Sequence, residues 1–208
     1  MTKYYSYVIP RDFGFAPNPF GGYCTLATCK PDIRASAEIG DWIFGTSSIA
    51  GKKTPKLIYA MQVTNKTTFN EYYNSPDFQY KKPVMNGSLK KMYGDNIYHH
   101  NQTGVWLQDN SHHSLENGEI NPHNLKKDTS TTVSVLISNI FYYFGIKAFE
   151  IPQNLIVDFC KTGQGHRYVD ENIALQILKY IQENYNTGLI GFPAMFEGEQ
   201  FIRYDGQS

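Results

Sequence analysis

Aromatic and β-branched residues fill positions 4–9 (Tyr-Tyr-Ser-Tyr-Val-Ile) and Pro10 follows at once, a pattern that predicts a strand near a sheet edge. Residues 11–23 mix glycine, proline and phenylalanine too irregularly for a helix and predict a structured loop laid over a surface or a site. Residues 24–29 then read as a second strand. A Gly40-Asp41 turn feeds a short buried strand within 37–45, and a polar loop leads to a longer apolar strand over 57–63. Residues 67–73 predict a short helix capped by a threonine. The stretch 132–145 returns to strand, Pro152 opens a short helix running to Phe159, and the segment beyond Gly188 has room for one last strand. The clearest helix covers 170–184, where Asp170 caps, Glu171 suits the first turn, and Ile173, Ile177, Leu178 and Ile181 make one apolar stripe. No repeat or linker interrupts the order, so one domain over 1–208 is expected.

Between these elements, residues 81–127 hold no sustained period apart from a candidate strand at 104–108. A stretch this long is functional or disordered, and the anchors Tyr93, Ile97, Tyr98, Trp106 and Leu107 favour order.

Composition narrows the chemistry. Nineteen basic and nineteen acidic side chains cancel, which excludes a sequence-independent coat on duplex nucleic acid but leaves open the reading of a nucleotide or a flipped base. Aromatics make up 15% of the chain, with 16 tyrosines, and suit stacking, although an AT-rich genome inflates Tyr, Asn and Lys in the same way. The three cysteines, Cys24, Cys29 and Cys160, show no ligand spacing and read as reduced thiols. No run is apolar enough to span a membrane and no signal segment opens the chain, so a cytoplasmic protein without membrane partners is expected.

Five of the six histidines fall between Tyr93 and Asp128. Imidazoles near carboxylates suit general acid/base work, and the candidate catalytic set is His99 and His113 with Asp95 and Asp128 to orient them. Exposed histidines without a role are the bland alternative. Neither a His-Glu-x-x-His nor a Pro-Cys-x-x-Cys pattern occurs, so no metal set is assigned and the cofactor stays open. A Ser111, His113, Asp128 relay can be drawn, yet no nucleophile elbow frames the serine. Asn96, Tyr98, Gln108 and Ser111 are candidate ligand-binding residues from the same segment. Gly163-Gln164-Gly165-His166-Arg167, just before the helix, offers a weak phosphate-loop pattern with His166 and Arg167 as ligand contacts; a plain loop explains it as well.

The blocks Arg11-Asp12-Phe13-Gly14-Phe15-Ala16-Pro17-Asn18-Pro19-Phe20, Cys24-Thr25-Leu26-Ala27-Thr28-Cys29-Lys30-Pro31 and Gly40-Asp41-Trp42-Ile43 together resemble the second nucleotide-modification-associated domain family of bacteria and phages. Tyr93-Gly94-Asp95-Asn96-Ile97-Tyr98 and Phe141-Tyr142-Tyr143-Phe144-Gly145 resemble it too. The likeness implies a place in DNA or nucleotide modification. Residues 40–73 are also similar in architecture to PUA-like barrels, among them the EVE and YTH readers of modified bases. That resemblance implies an α+β fold, a mixed or antiparallel barrel with flanking helices, in which Trp42, Tyr59 and the segment from Tyr93 to Gln108 wall a pocket; Arg11 and Asn18 complete the candidate ligand contacts. Three functions follow: a module binding a nucleotide or modified base, an enzyme using histidine acid/base chemistry, and a phage or defence protein capturing a signalling nucleotide. The lack of a catalytic motif favours binding.

Overall fold

The computed structural model describes residues 1–49, 54–198 and 200–206; residues 50–53 of the polar loop expected before Leu57 lie outside the described residues. The strands are β1 Tyr4–Ile9, β2 Cys24–Leu26, β3 Trp42–Ser47, β4 Lys56–Gln62, β5 Asn65–Thr68, β6 Tyr98–His100, β7 Trp106–Gln108, β8 Ser134–Ser138, β9 Ile140–Tyr143, β10 Phe149–Glu150, β11 His166–Tyr168 and β12 Gly188–Leu189. The α-helices are α1 Pro31–Ser36, α2 Phe69–Asn74, α3 Leu89–Met92, α4 Pro122–Thr129, α5 Ile156–Phe159 and α6 Glu171–Asn184.

The fold is mixed α+β. The main sheet runs β11-β1-β3-β4-β9-β12 with β10 added on β4; β1 and β3 are parallel, β9 and β12 likewise, and the other pairs antiparallel. A second sheet runs β2-β8-β5, and β6 pairs with β7 as a hairpin. All three sheets are open, so the strands do not hydrogen-bond into the ring expected of a PUA-like barrel. β1 lies near the sheet edge as expected, with the three residues of β11 outside it.

Alternation of side chains sorts the core onto the two faces of the main sheet. Tyr4, Trp42, Phe44, Ala60 and Tyr142 pack with Ala174, Ile177, Leu178 and Ile181 of α6. The helix stands where its stripe predicted, and the Asp170 carboxylate caps it by accepting the Asn172 N–H at 2.9 Å. Tyr5, Tyr7, Ile43, Tyr59 and Met61 face the other way, against Cys24 and Leu26 of β2, Ile33 of α1 and Leu136 of β8. Trp42 and Tyr59 are thus buried on opposite faces, and the pocket they were expected to share is not formed.

A third cluster lies under the histidine segment, where Phe15, Phe69, Tyr93, Tyr98 and Val135 meet. The α2 helix beside it carries the expected threonine cap, Thr68, in a capping box with Glu71. Within this segment stands α4, capped by Asn121 with Pro122 in its first turn. Its buried side is polar, Asn124 and Asp128 four residues apart, and so leaves no apolar period to detect. Among the described residues no helix is long and apolar enough to cross a membrane.

Candidate active site

Three chain segments converge beyond the end of β2. Cys29 and Lys30 turn the chain from β2 into α1 with φ of 56° and 41°, left-handed values that two consecutive non-glycine residues rarely adopt. Such strain costs about 1–3 kcal/mol per residue and persists only where surroundings enforce it. Here α4 enforces it, because the Asp128 Oδ1 accepts the Cys29 N–H at 2.8 Å. Arg34, wholly buried in α1, ties both sides together: Nε donates to the Cys29 carbonyl (2.8 Å), Nη2 to the Asp128 carbonyl (2.5 Å) and Nη1 to the Ser134 carbonyl (2.9 Å).

His113 stands between Cys29 and Asp128. Its Nδ1–H donates to Asp128 Oδ2 at 2.9 Å, and its Nε2 lies 3.7 Å from Cys29 Sγ. Tyr98 from β6 donates its hydroxyl to the same Oδ2 at 2.9 Å. The imidazole packs against Phe15, with rings 4.7 Å apart, and the His113 main chain is held by Asn124, whose amide donates to its carbonyl at 2.9 Å. His113 and Asp128 are buried, while Cys29 keeps partial access to solvent.

Charge follows this geometry. Burial opposes protonation of His113, but the Cys29 sulfur and the Asp128 carboxylate outweigh it and raise its pKa to about 9. Burial pushes Asp128 up, yet His113, Arg34 and Tyr98 hold it below the usual carboxylate range. The neighbouring His112 is driven down to about 3 by burial and by the charge of His113, so it stays neutral. Burial raises the pKa of the Cys24 thiol, and raises that of Cys160 to about 11.

One ligand atom each from Cys29, His113 and Asp128 lie within 4.8 Å of one another, close enough for a metal ion. The order of the atoms argues against that use. The ring has the carboxylate at Nδ1 and the sulfur at Nε2, and Asp128 already accepts from Cys29, His113 and Tyr98. A common ion would require the ring to abandon one neighbour, whereas proton transfer uses both as they stand.

Of the residues expected at a site, His113, Asp128 and Tyr98 come together. Ser111 does not serve as their nucleophile, because its buried Oγ meets no hydrogen-bond partner among the described residues while His113 Nε2 faces a cysteine. His99 follows Tyr98 in β6 and therefore points away; it stacks on Tyr73 with rings 3.7 Å apart, and burial lowers its pKa. Asp95 belongs to a different buried network, accepting from Thr25 at 2.6 Å and Tyr72 at 2.9 Å, and burial raises it to about 6. Asn18 in that network accepts from Lys81 at 2.8 Å and donates to the Tyr93 carbonyl, and burial lowers Lys81 to about 8. Asn96 donates to the Tyr72 and Phe78 carbonyls, and Gln108 accepts the Asn121 N–H, both as internal braces. Arg11 is exposed.

The phosphate-loop expectation fails on topology. His166 and Arg167 lie in β11, which separates the glycines from α6, and Arg167 donates to the Val157 and Cys160 carbonyls behind α5. Two surface clefts, of about 450 Å³ beside Tyr23, Thr67 and Tyr72 and about 190 Å³ beside Tyr80, Lys81 and Lys90, are lined by none of Cys29, His113 and Asp128.

Sequence reading missed Cys29, Arg34 and the end of the chain. The pattern Thr28-Cys29-Lys30-Pro31, a thiol just ahead of a first-turn proline, is the one local signal for the first. Residues 201–206 lie as a strap along the histidine segment. The Tyr204 N–H donates to the His112 carbonyl (2.7 Å), His112 Nδ1–H to the Ile202 carbonyl (2.5 Å), and Arg203 to the Ser111 carbonyl, Ser114 Oγ and Asn110 Oδ1 (2.5, 2.6 and 2.8 Å). Arg203→Ala would remove these three charge-assisted bonds, and a loss of about 1–3 kcal/mol is expected in urea unfolding. An unchanged midpoint would show that the strap does not hold the segment.

None of the curated proteins compared with this chain matches it. A family profile does, over residues 1–200 of 208, and it carries the description nucleotide modification associated domain 2. Of the blocks that suggested this family, those over 24–31 and 93–98 supply Cys29 and Tyr98, while His113 and Asp128 lie outside them; the chain belongs to the nucleotide modification associated domain 2 family.

Proposed function

We propose that this protein is an enzyme that modifies a nucleotide or base through a thiol nucleophile, Cys29, with His113 as general acid and base and Asp128 and Arg34 as positioning residues. One observation carries the reading: His113 Nε2 lies 3.7 Å from the Cys29 sulfur while its Nδ1 donates at 2.9 Å to a carboxylate that is itself held in place. Membership of a family described as nucleotide modification associated supports a nucleotide or base as the substrate. With the Cys29 proton held on His113 Nε2, the sulfur bonds to an electrophilic carbon. That proton leaves with the departing group as its bond to carbon breaks. An acceptor, water or a second nucleophile, then displaces the sulfur, with His113 taking the acceptor's proton and returning it to the thiol.

Alkylation tests this directly. Iodoacetamide is expected to label Cys29 ahead of Cys24 and Cys160, and His113→Gln is expected to slow that labelling at neutral pH by ~10-fold or more, since the base that activates the sulfur is gone. Equal rates in the two proteins would remove the basis of the proposal.

A second reading is a PUA-like module that recognises a modified base without changing it. It draws on the Gly40-Asp41 turn and on the order of three strands and a short helix from β3 to α2. It leaves the cysteine, histidine and aspartate arrangement without a purpose, and it predicts that nucleotide binding and biological effect both survive loss of the Cys29 sulfur. Capture of a signalling nucleotide differs from it only in ligand.

A further inference from the structure

Three lysines gather at the proposed nucleophile. Lys30 follows Cys29 in the chain, and its Nζ stands 4.7 Å from the centre of the Tyr7 ring. Lys127 precedes Asp128 in the last turn of α4; its Nζ lies 3.3 Å from the Tyr204 hydroxyl, and the Tyr204 ring is 5.6 Å from that of His113. Lys161 follows Cys160 just beyond α5. Burial lowers the pKa of Lys30 and the Cys29 sulfur opposes this, while Lys127 and Lys161 stand close enough for their charges to lower it further. Among the described residues no carboxylate lies within 4.0 Å of any of these ammonium groups, although the chain as a whole has as many acids as bases. Like charges left uncompensated around a reactive group cost free energy unless an anion enters between them.

We propose, resting on the thiol reading above, that Lys30, Lys127 and Lys161 form an anion-receiving rim and that the substrate meets Cys29 carrying phosphate, as a nucleotide or a nucleic-acid strand and not as a free base or nucleoside. The rim accounts for how a neutral protein attracts a polyanion: the positive field is local, placed where the substrate must dock. Lys127 and Lys161 would contact phosphate oxygens, while Lys30, partly buried and next to Cys29 in the chain, stands over the Tyr7 ring.

Two alkylating reagents of similar size read the field without knowledge of the substrate. Iodoacetate carries a negative charge and iodoacetamide none, so the ratio of their rates at Cys29, divided by the same ratio for glutathione, reports the local potential. In the wild-type protein at low salt this quotient is expected to be at least ~5, to fall towards 1 in Lys127→Gln/Lys161→Gln, and to fall again at 1 M salt. A quotient near 1 in the wild type overturns the rim but leaves the thiol reading standing, provided iodoacetamide labelling still depends on His113. Labelling that does not depend on His113, or no labelling by either reagent, overturns both. Protection from iodoacetamide then names the source of the phosphate. Deoxynucleotides as the stronger protectors indicate a nucleotide, and a single-stranded oligonucleotide with steep salt dependence indicates a strand. Protection by nucleosides equal to that by nucleotides contradicts the rim.

Discussion

Cys29→Ala is expected to abolish nucleotide modification, by ~10³-fold or more, while the protein stays folded. The sulfur touches His113 across 3.7 Å, a weak contact for stability, and the Cys29 N–H that holds Asp128 at 2.8 Å belongs to the backbone and survives the change. Alanine has the same difficulty as cysteine at a φ of 56°, so the turn gains no new strain. The thermal midpoint is therefore expected to stay within the small range typical of substitutions that break no packing, and the loss falls on chemistry alone. Mass spectrometry of nucleosides from DNA and from nucleotide pools, in cells making either protein, provides the measurement. Modified nucleosides at wild-type levels with Cys29→Ala would end the thiol reading and leave the base-reading module as the better account. Cys29→Ser sharpens the test: the hydroxyl fits the site, but an alcohol beside this imidazole is a far poorer nucleophile, so activity should remain lost.

Much of the fold can be read from the chain because its elements obey the rule of buried apolar positions. The stripe of Ile177, Leu178 and Ile181 announces α6, and the aromatic and β-branched runs announce β1, β4, β8 and β9. The candidate site resists the same reading for a physical reason. The inward side of α4 is Asn121, Asn124 and Asp128, residues chosen for hydrogen bonds to the strap, to His113 and to Cys29, so a hydrophobic period is absent where the helix matters most. His113, Asp128 and Tyr98 stand out by residue type within a segment rich in histidine. Cys29 does not, since it comes from 84 residues earlier and only tertiary structure brings it to His113. His99 misleads because strand alternation turns it away from Tyr98, a reversal that residue type alone does not convey. The strap over residues 201–206 is held mainly through its backbone and Arg203, features that no periodicity records.

The largest effect on stability is expected from Arg34→Met. The guanidinium is wholly buried, it donates to three carbonyls on three different segments, and it lies 5.3 Å from the centre of the Phe69 ring. Methionine fills much of the space but donates nothing, leaving the carbonyls of Cys29, Asp128 and Ser134 buried without these bonds. Loss of one partner from a buried, hydrogen-bonded charge typically costs about 3–5 kcal/mol, and for a chain of this size each kcal/mol lowers the thermal midpoint by about 2–4 °C. A fall of roughly 10 °C or more is therefore expected, measured by urea and thermal unfolding. Arg34→Lys separates charge from shape. An ammonium keeps the positive field on Asp128 but cannot span three carbonyls in the planar arrangement that arginine matches, so it should recover only a minor part of the loss. The iodoacetamide rate at Cys29 in the folded fraction distinguishes a positioning role from a merely structural one. If Arg34 sets the spacing of Cys29 and Asp128 across His113, the rate falls in both variants even where lysine restores some stability; if it only fills the core, the rate in Arg34→Lys matches the wild type.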